Sequence, residues 1–251
     1  MKKVPRRSSS ASGAPPRSLP RFSRELAIIY EDDAVVAVNK PAGLLAVPAP
    51  GSDAPSALSL LIQDLKPRRQ RALIVHRTDR FASGVLLFAK TNSDREALVR
   101  QFLAHTPVRQ YLAVVRGHLA AKQGTLVHYF RREGMYQKLS TERDREAARA
   151  ELSYSIERSL RGASLVRVAL RTGLQNQIRV QFAALGHPVI GDRKYSAKEA
   201  SERRIARVAL HAASLQFCHP RTGQAVTLEC AIPSDFKSLI QSLSPPARGH
   251  R

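Results

Sequence analysis

One carboxylate lies among basic residues in the segment HRTDRFASG, residues 76–84. Asp79 is flanked by His76, Arg77 and Arg80, and a Ser-Gly pair then leads into the apolar run VLLFAK. An aspartate beside arginines is most often a structural ion-pair partner, but a nearby guanidinium also favours the ionised carboxylate that chemistry requires. Asp79 is therefore either a structural partner of arginine or the catalytic group of a site that receives a polyanion.

Other kinds of site find little support in the sequence. It contains no phosphate-binding G-x-x-x-x-G-K-[ST] loop and no G-x-G-x-x-G after a predicted strand, which argues against nucleotide cofactors. It has no H-E-x-x-H motif and its eight histidines are scattered, which argues against a metal site. A glycosidase needs two opposed carboxylates, and Ser83 lacks the G-x-S-x-G context of a hydrolase nucleophile. We therefore expect neither a metal nor a nucleotide cofactor.

The charge balance predicts a polyanionic partner. Lys and Arg number 41 against 20 Asp and Glu, which leaves a net charge of +21 over 251 residues. Such an excess repels itself unless a polyanion neutralises it, so nucleic acid is the default partner. An anionic membrane surface is the weaker alternative, because there is no long amphipathic basic helix and no apolar run near the ~18 residues of a membrane span.

The first 25 residues form a segment of their own. Their composition predicts a disordered tail. Glu25 is the one acidic residue among them, against seven basic residues: Lys2, Lys3, Arg6, Arg7, Arg17, Arg21 and Arg24. The tail is a phosphate-binding arm, a solvated leader without function, or a targeting peptide, although its prolines oppose the helix that a mitochondrial signal needs. Because there is no apolar secretion signal and Cys218 and Cys230 lack metal-binding spacing, we expect a reduced, cytoplasmic protein.

From residue 26 the hydrophobic pattern predicts one α+β domain, residues 26–242, with a short C-terminal tail at 243–251. The predicted strands are 26–30, 34–39, 72–75, 85–89, 111–117, 124–130, 148–156, 164–172, 208–217 and 225–232. The predicted helices are 57–65, 93–104, 174–188 and a last one from Ser234. Strands outnumber helices and rarely alternate with them, which favours a single mixed, largely antiparallel sheet with flanking helices.

Two of the helices carry specific signals. The segment 93–104 opens with Ser93 three residues before Glu96, which is the pattern of a capping box. Its apolar residues are predicted on one face: Leu98, Phe102 and Leu103. The segment 174–188 ends at Gly186, which can adopt the left-handed conformation after a helix. Its apolar residues recur at helical spacing: Leu174, Ile178, Phe182 and Leu185.

Four segments together resemble the RluA family of pseudouridine synthases. HRTDRFASGVLLFAK (76–90) is similar to the family signature H-R-L-D-x-x-T-S-G-L-L-L-x-A-K, and VVAVNKPAGLLAVP (35–48) to its N-K-P-x-G segment. RQYLAVVRG (109–117) resembles the strand K-x-Y-x-A-x-V-x-G. TGLQNQIRVQFAALGHPVIGDRKY (172–195) follows T-G-R-x-H-Q-I-R-x-H-x-x-x-x-G-H-P-I-x-G-D-x-x-Y. The motifs occur in family order, and the resemblance covers about residues 26–232.

The resemblance implies an enzyme that isomerises uridine in structured RNA, ribosomal or transfer RNA, as a monomer and without a cofactor. It assigns catalysis to Asp79 and makes Arg179 its partner, which could form a bidentate bridge to it. Tyr111 corresponds to the family's active-site tyrosine, whose ring can stack on uracil and whose hydroxyl can serve proton transfer. Arg77 would brace the space left by a flipped uridine, and His76 would support the site.

Simpler interpretations of the same residues stay open at this point. Tyr111 could be a core aromatic, Arg179 a solvent-facing helix residue and Arg77 the partner of a surface acid. Lys40 and Gly43 of the NKPAG turn are expected to shape the site rather than to react.

Three departures from the family pattern, Leu174, Asn176 and Gln181, remove a guanidinium and two imidazoles. They support the main alternative to an enzyme, which is a non-catalytic RNA-binding or ribosome-assembly factor on the same fold. A basic structural protein of a ribonucleoprotein is a third, more distant alternative.

Overall fold

Eleven strands form one mixed sheet in the computed structural model, which describes residues 26–134, 136–196 and 204–245. The predicted basic tail, residues 1–25, lies outside the described residues. The strands are β1 Ala27–Glu31, β2 Val35–Lys40, β3 Leu73–Ile74, β4 Ser83–Ala89, β5 Val108–Arg116, β6 Gln123–Glu133, β7 Tyr136–Ser140, β8 Ala148–Leu160, β9 Ala163–Leu170, β10 Leu210–Cys218 and β11 Ala225–Glu229. The α-helices are α1 Ala57–Leu65, α2 Asn92–Leu103, α3 Gln177–Ala184 and α4 Ser234–Leu243.

The strand order is β1-β2-β4-β10-β5-β9-β8-β6-β7, with β3 beside β4 and β11 beside β10. Every neighbouring pair is antiparallel except β4 and β10, which are parallel. The predicted α+β class with a largely antiparallel sheet is confirmed.

The central strands β2 and β4 are covered on both faces, which explains their nearly continuous apolar sequence. One face packs on α1, where Leu61 and Leu65 contact the cluster that contains Val36 and Phe88. The other face packs on α2 through Leu98. Each such buried side chain stabilises the fold by about 1.5–3 kcal/mol relative to leaving it in water. The start of β4, where the Asp79 segment ends, is therefore a well-supported position.

Helix α2 begins one residue earlier than predicted, and its predicted capping box is wrong. The cap is Thr91, whose hydroxyl accepts a hydrogen bond from the Asp94 backbone N–H at 3.1 Å. This start sets which side of the helix faces the sheet. Leu98 is buried as expected, whereas Leu103 is 74% exposed and does not belong to the apolar face.

Helix α3 is shorter than predicted because Asn176 precedes it in the left-handed region, at φ 55°. Leu174 therefore lies outside the helix, and Leu185 is exposed. The predicted left-handed Gly186 is found, at φ 82°. All residues from Gln177 to Phe182 are buried, since the helix also contacts β7, a strand that the hydrophobic pattern did not reveal.

The C-terminal helix α4 adds Phe236 and Leu239 to the largest core cluster. Leu243, placed in the C-terminal tail from the sequence, is the last residue of α4 and is 1% exposed. Its carbonyl accepts a hydrogen bond from the Arg161 backbone N–H at 2.7 Å. None of the helices in the described ranges has the length and apolar character that crossing a membrane requires.

Candidate active site

Asp79 begins a β-turn immediately before the buried strand β4. The Ala82 N–H donates to the Asp79 carbonyl at 3.2 Å, which closes the turn 79–82. The strand that follows has β2 on one side and β10 on the other, with Gly84 paired to both Lys40 and Ala212. A Cβ at Gly84 would lie 2.1 Å from the Ala212 carbonyl oxygen, so only glycine allows this close approach. The Asp79 side chain remains 21% exposed at the end of the sheet.

Lys40 joins the NKPAG turn to the Asp79 turn. Its side chain is fully buried, and its ammonium donates hydrogen bonds of 2.6–3.2 Å to four backbone carbonyls: those of Pro41, Leu44, Arg80 and Ala82. The Gly43 N–H also donates to the Arg80 carbonyl, at 2.8 Å. Burial lowers the pKa of Lys40 to about 7, and the nearby Asp79 charge opposes this shift. These contacts agree with the shaping role expected for the NKPAG turn.

Arg179 extends from α3 to both Asp79 and a second carboxylate. Its Nη1 donates to Asp79 Oδ2 at 3.3 Å. The predicted bidentate bridge to Asp79 is wrong, because the two parallel hydrogen bonds go to Asp192, at 2.7 and 2.8 Å. Asn176 accepts a further bond from Nη1 at 2.7 Å. Arg179 is only 7% exposed, so the interpretation as a solvent-facing helix residue is also wrong.

The Arg179–Asp192 pair is buried and charged. Burial disfavours the charged form of both groups, but their hydrogen bonds and mutual attraction outweigh it. The pKa of Asp192 is therefore held below its usual range and that of Arg179 above it. The resulting fixed guanidinium presents one N–H to the Asp79 carboxylate.

Tyr111 lies level with Gly84 across the sheet. On β5 it pairs with Ala212, which in turn pairs with Gly84 on β4. Its ring is partly buried against the largest core cluster. Burial raises the pKa of Tyr111 to about 12, and the charge of Asp79 adds to that rise. The hydroxyl therefore keeps its proton at neutral pH while it lies within the electrostatic range of Asp79.

The two remaining predicted site residues differ in environment. The His76 imidazole accepts a hydrogen bond from the Leu87 N–H at 3.1 Å and stacks on Phe102 at 4.6 Å. Burial lowers its pKa to about 3, so it is neutral and holds the loop against β4. Arg77 is exposed and forms no hydrogen bond or ion pair with any other residue in the described ranges. The structure thus brings Asp79, Arg179 and Tyr111 together, gives His76 structural contacts and leaves Arg77 facing solvent.

Comparison with known proteins agrees with this geometry. Residues 34–184 match the family described as RNA pseudouridylate synthase. The chain is 32% identical over 230 residues to ribosomal large subunit pseudouridine synthase D of Zymomonas mobilis, covering 87% of this chain and 73% of that protein. It is 35% identical over 224 residues to YlyB of Bacillus subtilis, an uncharacterised RNA pseudouridine synthase, with the same coverage. The chain belongs to the RNA pseudouridylate synthase family.

Its motifs and these relatives identify it as an RluA-type pseudouridine synthase, an enzyme that isomerises uridine in RNA. Among solved structures it resembles human RNA pseudouridylate synthase domain containing 1, with a TM-score of 0.67 and 25% identity over 83% of this chain and 84% of that one. Human RNA pseudouridylate synthase domain containing 4 has a TM-score of 0.71 at 21% identity, over 86% and 92% of the two chains, and shows the shared fold.

Of the three departures Leu174, Asn176 and Gln181, the last two are buried in this pseudouridine synthase. Gln181 is fully buried, and its amide donates to the Leu126 and Ala150 carbonyls at 3.0 and 3.2 Å. Asn176 is 8% exposed and bonds Arg179 and the Tyr195 hydroxyl. Leu174 packs on a small cluster with Val180. The substitutions therefore maintain the protein interior and leave Asp79, Tyr111 and Arg179 in position.

Two further residues of this synthase belong to the site although no role follows for them from the sequence. Asp192 and Tyr195 both belong to the GDRKY segment that closes the fourth motif. Asp192 holds Arg179, and the Tyr195 ring lies under the Arg179 guanidinium at 5.2 Å. Asp192 could have been predicted from the sequence, because it is an acidic residue 13 positions after Arg179 in the same motif.

Proposed function

We propose that this pseudouridine synthase modifies uridine in large-subunit ribosomal RNA, with Asp79 as its catalytic group. The RNA target is supported by the names of several relatives, which are large-subunit pseudouridine synthases, and by the net charge of +21. Ribosomal RNA is a large polyanion, and a basic surface holds it through its phosphates.

The reaction needs a group that acts at the sugar while the base turns. The N1–C1′ bond breaks, the uracil rotates, and a C5–C1′ bond forms; the proton on C5 is lost and N1 gains one. An ionised carboxylate beside C1′ can act there as a nucleophile or base. The single observation that carries our proposal is the 3.3 Å contact from the buried, Asp192-held Arg179 to the part-exposed Asp79 carboxylate.

The roles of the other site residues follow from their environments. Tyr111 keeps a protonated hydroxyl and a ring at the level of Gly84, which suits stacking on the turned uracil and proton transfer at C5. Arg77 faces solvent beside Asp79, which suits bracing of the space that the flipped uridine leaves. His76 would act at one remove, by holding the loop.

The proposal also includes the organisation of the chain. We retain a catalytic domain from residue 26 with a tail at 1–25, a monomeric state and a cytoplasmic location. The C-terminal tail begins after Leu243, because that residue is the buried end of α4. Support for the domain comes from the core clusters, which include residues between Leu26 and Leu243. Monomeric state and location rest on the family resemblance and on the ribosomal RNA target.

A gene deletion with complementation tests the proposal. Pseudouridines are mapped in total RNA from the wild type, the deletion strain, and the deletion strain that expresses wild-type protein or Asp79→Asn. We expect at least one uridine of large-subunit ribosomal RNA to lose its modification on deletion and to regain it only with the wild-type gene. Loss confined to transfer RNA would overturn the target. Rescue by Asp79→Asn would overturn the role of Asp79.

A further inference from the structure

An exposed aromatic side chain lies two residues from the catalytic aspartate. In the turn 79–82 the central positions are Arg80 and Phe81. Phe81 is 38% exposed, although large aromatic side chains usually bury most of their surface. Phe81 is two residues from Asp79, so their Cα atoms lie at most about 7 Å apart. This distance is comparable to the spacing of adjacent nucleotides in an extended strand.

The turn that carries Phe81 is held rigidly. The Arg80 carbonyl accepts hydrogen bonds from the Gly43 N–H and the Lys40 ammonium, at 2.8 and 3.2 Å. The Arg80 Nε–H donates back to the Gly43 carbonyl at 3.0 Å. The Arg80 guanidinium then lies over the Phe81 ring, 5.4 Å from its centroid. The NKPAG segment therefore holds the backbone of the turn that carries both Asp79 and Phe81.

A single exposed apolar residue needs no functional explanation by itself. Phe81 differs from the others in its surroundings, because exposed Arg77 and Arg80 flank it and Asp79 is beside it. Proteins that hold single-stranded nucleic acid combine cationic groups for the backbone with aromatic rings on which bases stack. The segment 77–81 has both components next to the reacting sugar.

We propose that Phe81 is a stacking platform for the base of the nucleotide adjacent to the target uridine. The inference rests on the proposed function, and it adds a contact that helps to determine which sequence context is accepted. The target uracil itself is assigned to Tyr111, on a strand that lies beyond β10 from the Asp79 turn. A neighbouring base, unstacked when the uridine turns out of the RNA, would then replace its lost stacking partner with the Phe81 ring.

The test uses full-length protein and a synthetic RNA stem–loop that contains the uridine mapped in the complementation experiment. Phe81→Leu keeps apolar volume without the ring, and Phe81→Tyr keeps the ring. Leu103→Ala, at an exposed apolar residue far along α2, is the matched control. Pseudouridine formation is measured against RNA concentration, and RNA binding by fluorescence anisotropy.

We expect Phe81→Leu to raise KM and the dissociation constant about 5- to 150-fold with little change in kcat, the range expected for loss of one stacked base. Phe81→Tyr and Leu103→Ala should stay near wild type. Two further stem–loops carry an abasic site on the 5′ or the 3′ side of the target uridine. On one of them the difference between wild type and Phe81→Leu should disappear, because the stacked base is missing.

Equal affinity of wild type and Phe81→Leu for the intact stem–loop would overturn the platform. A penalty that persists on both abasic stem–loops would also overturn it, because it would show a structural role for the ring. Wild-type protein that modifies no uridine of large-subunit ribosomal RNA would instead overturn the proposed target. In that case the anisotropy measurements on a stem–loop from the RNA that is modified still decide the role of Phe81.

Discussion

Two hydrogen bonds join Arg179 to Asp192, with Nε donating to Oδ2 at 2.7 Å and Nη2 to Oδ1 at 2.8 Å. Asp192 is 4% exposed and Arg179 7%. This geometry leaves the two N–H groups of Nη1 for Asn176, at 2.7 Å, and for Asp79, at 3.3 Å. Asp192 therefore orients Arg179. Its negative charge also balances the buried guanidinium, whose other acidic partner, Asp79, is part-exposed.

Asp192→Asn should therefore damage both stability and turnover. Removal of one partner of a buried ion pair typically costs about 3–5 kcal/mol, and a displaced Arg179 would no longer donate its hydrogen bond to Asp79. Thermal unfolding and single-turnover kinetics measure the two effects. Asp235→Asn is the matched control, because Asp235 binds Arg207 with the same two-bond geometry but is 47% exposed. A turnover loss no larger than in the control would contradict the orienting role.

The Arg179–Asp192 pair also makes the folding stability depend on pH in the acidic range. The pKa of Asp192 is lowered in the folded state, so its contribution to stability is complete above the unfolded value near 3.8 and is lost as pH falls through the lower folded value. Wild-type protein should lose this contribution only below about pH 4. The Asp192→Asn variant should show a shallower loss of stability in that acid range.

Asp79→Asn keeps the shape of the side chain and removes its charge. Isomerisation should fall by at least about 10³-fold, since neither a nucleophile nor a base remains at the sugar, while RNA binding largely persists. Tritium release from C5-labelled RNA measures the first quantity, and filter binding the second. Asp64→Asn on helix α1, with a side chain 62% exposed, should leave both unchanged. Comparable turnover in Asp79→Asn would exclude Asp79 as the catalyst.

Tyr111 is expected to contribute its ring and its hydroxyl separately. Tyr111→Phe should keep stacking, worth about 1–3 kcal/mol per base, and lower kcat, whereas Tyr111→Ala should weaken binding as well. Because the pKa of Tyr111 is raised to about 12, its ionisation should not limit wild-type activity up to about pH 10. Titrations and a pH–rate profile test both statements. Equal RNA affinity of wild type and Tyr111→Ala would return the ring to a purely core role.

Lys40→Met removes a donor that four backbone carbonyls share. The Arg80 carbonyl keeps its hydrogen bond from the Gly43 N–H. Each of the other acceptors left without a partner costs about 1–3 kcal/mol, so we expect a loss of several kcal/mol in unfolding free energy after partial relaxation. The folded pKa of about 7 lies below the usual 10.5, so the unfolded state binds more protons between these values. Wild-type stability should therefore rise with pH from about 7 to about 10.5.

This rise should be absent in Lys40→Met and present in Lys237→Met, a control at an exposed lysine of helix α4. Chemical denaturation across the pH range measures it. The same pH slope in wild type and Lys40→Met would show that the ammonium keeps its proton in the fold.

Strand β1, which follows the basic tail in the sequence, begins at the end of the sheet that holds Asp79. Ala27 pairs with Asn39, and Asn39 with Val85, next to Gly84. Deletion of residues 1–25 should flatten the log–log salt dependence of RNA binding by roughly two to three units, at ~0.7 units per phosphate on a single strand. Turnover at saturating RNA should barely change. Parallel salt slopes for full-length and truncated protein would mean that the tail does not contact phosphate.

The sequence by itself determined the fold class, the family and the position of Asp79, the proposed catalytic group. Alternation and apolar runs are local signals, and they located α1 over its observed bounds and ten of the strands. The turn residues around Asp79 and the apolar run after it likewise predicted a loop before a buried strand. Composition predicted the polyanionic partner, since a net charge of +21 cannot be neutralised within the chain.

Only the tertiary structure decided which groups meet. Asp79 and Arg179 are 100 residues apart in the sequence. Arg179 forms its two parallel hydrogen bonds with Asp192, because the GDRKY segment lies beside α3. The same packing buries α3 on nearly every side, which its period alone does not reveal. Side-chain partners across such distances depend on how the layers pack, and a periodic pattern records only which residues face a core. That is why the sequence located Asp79, the proposed catalytic group, while only the fold showed that Asp192 holds Arg179.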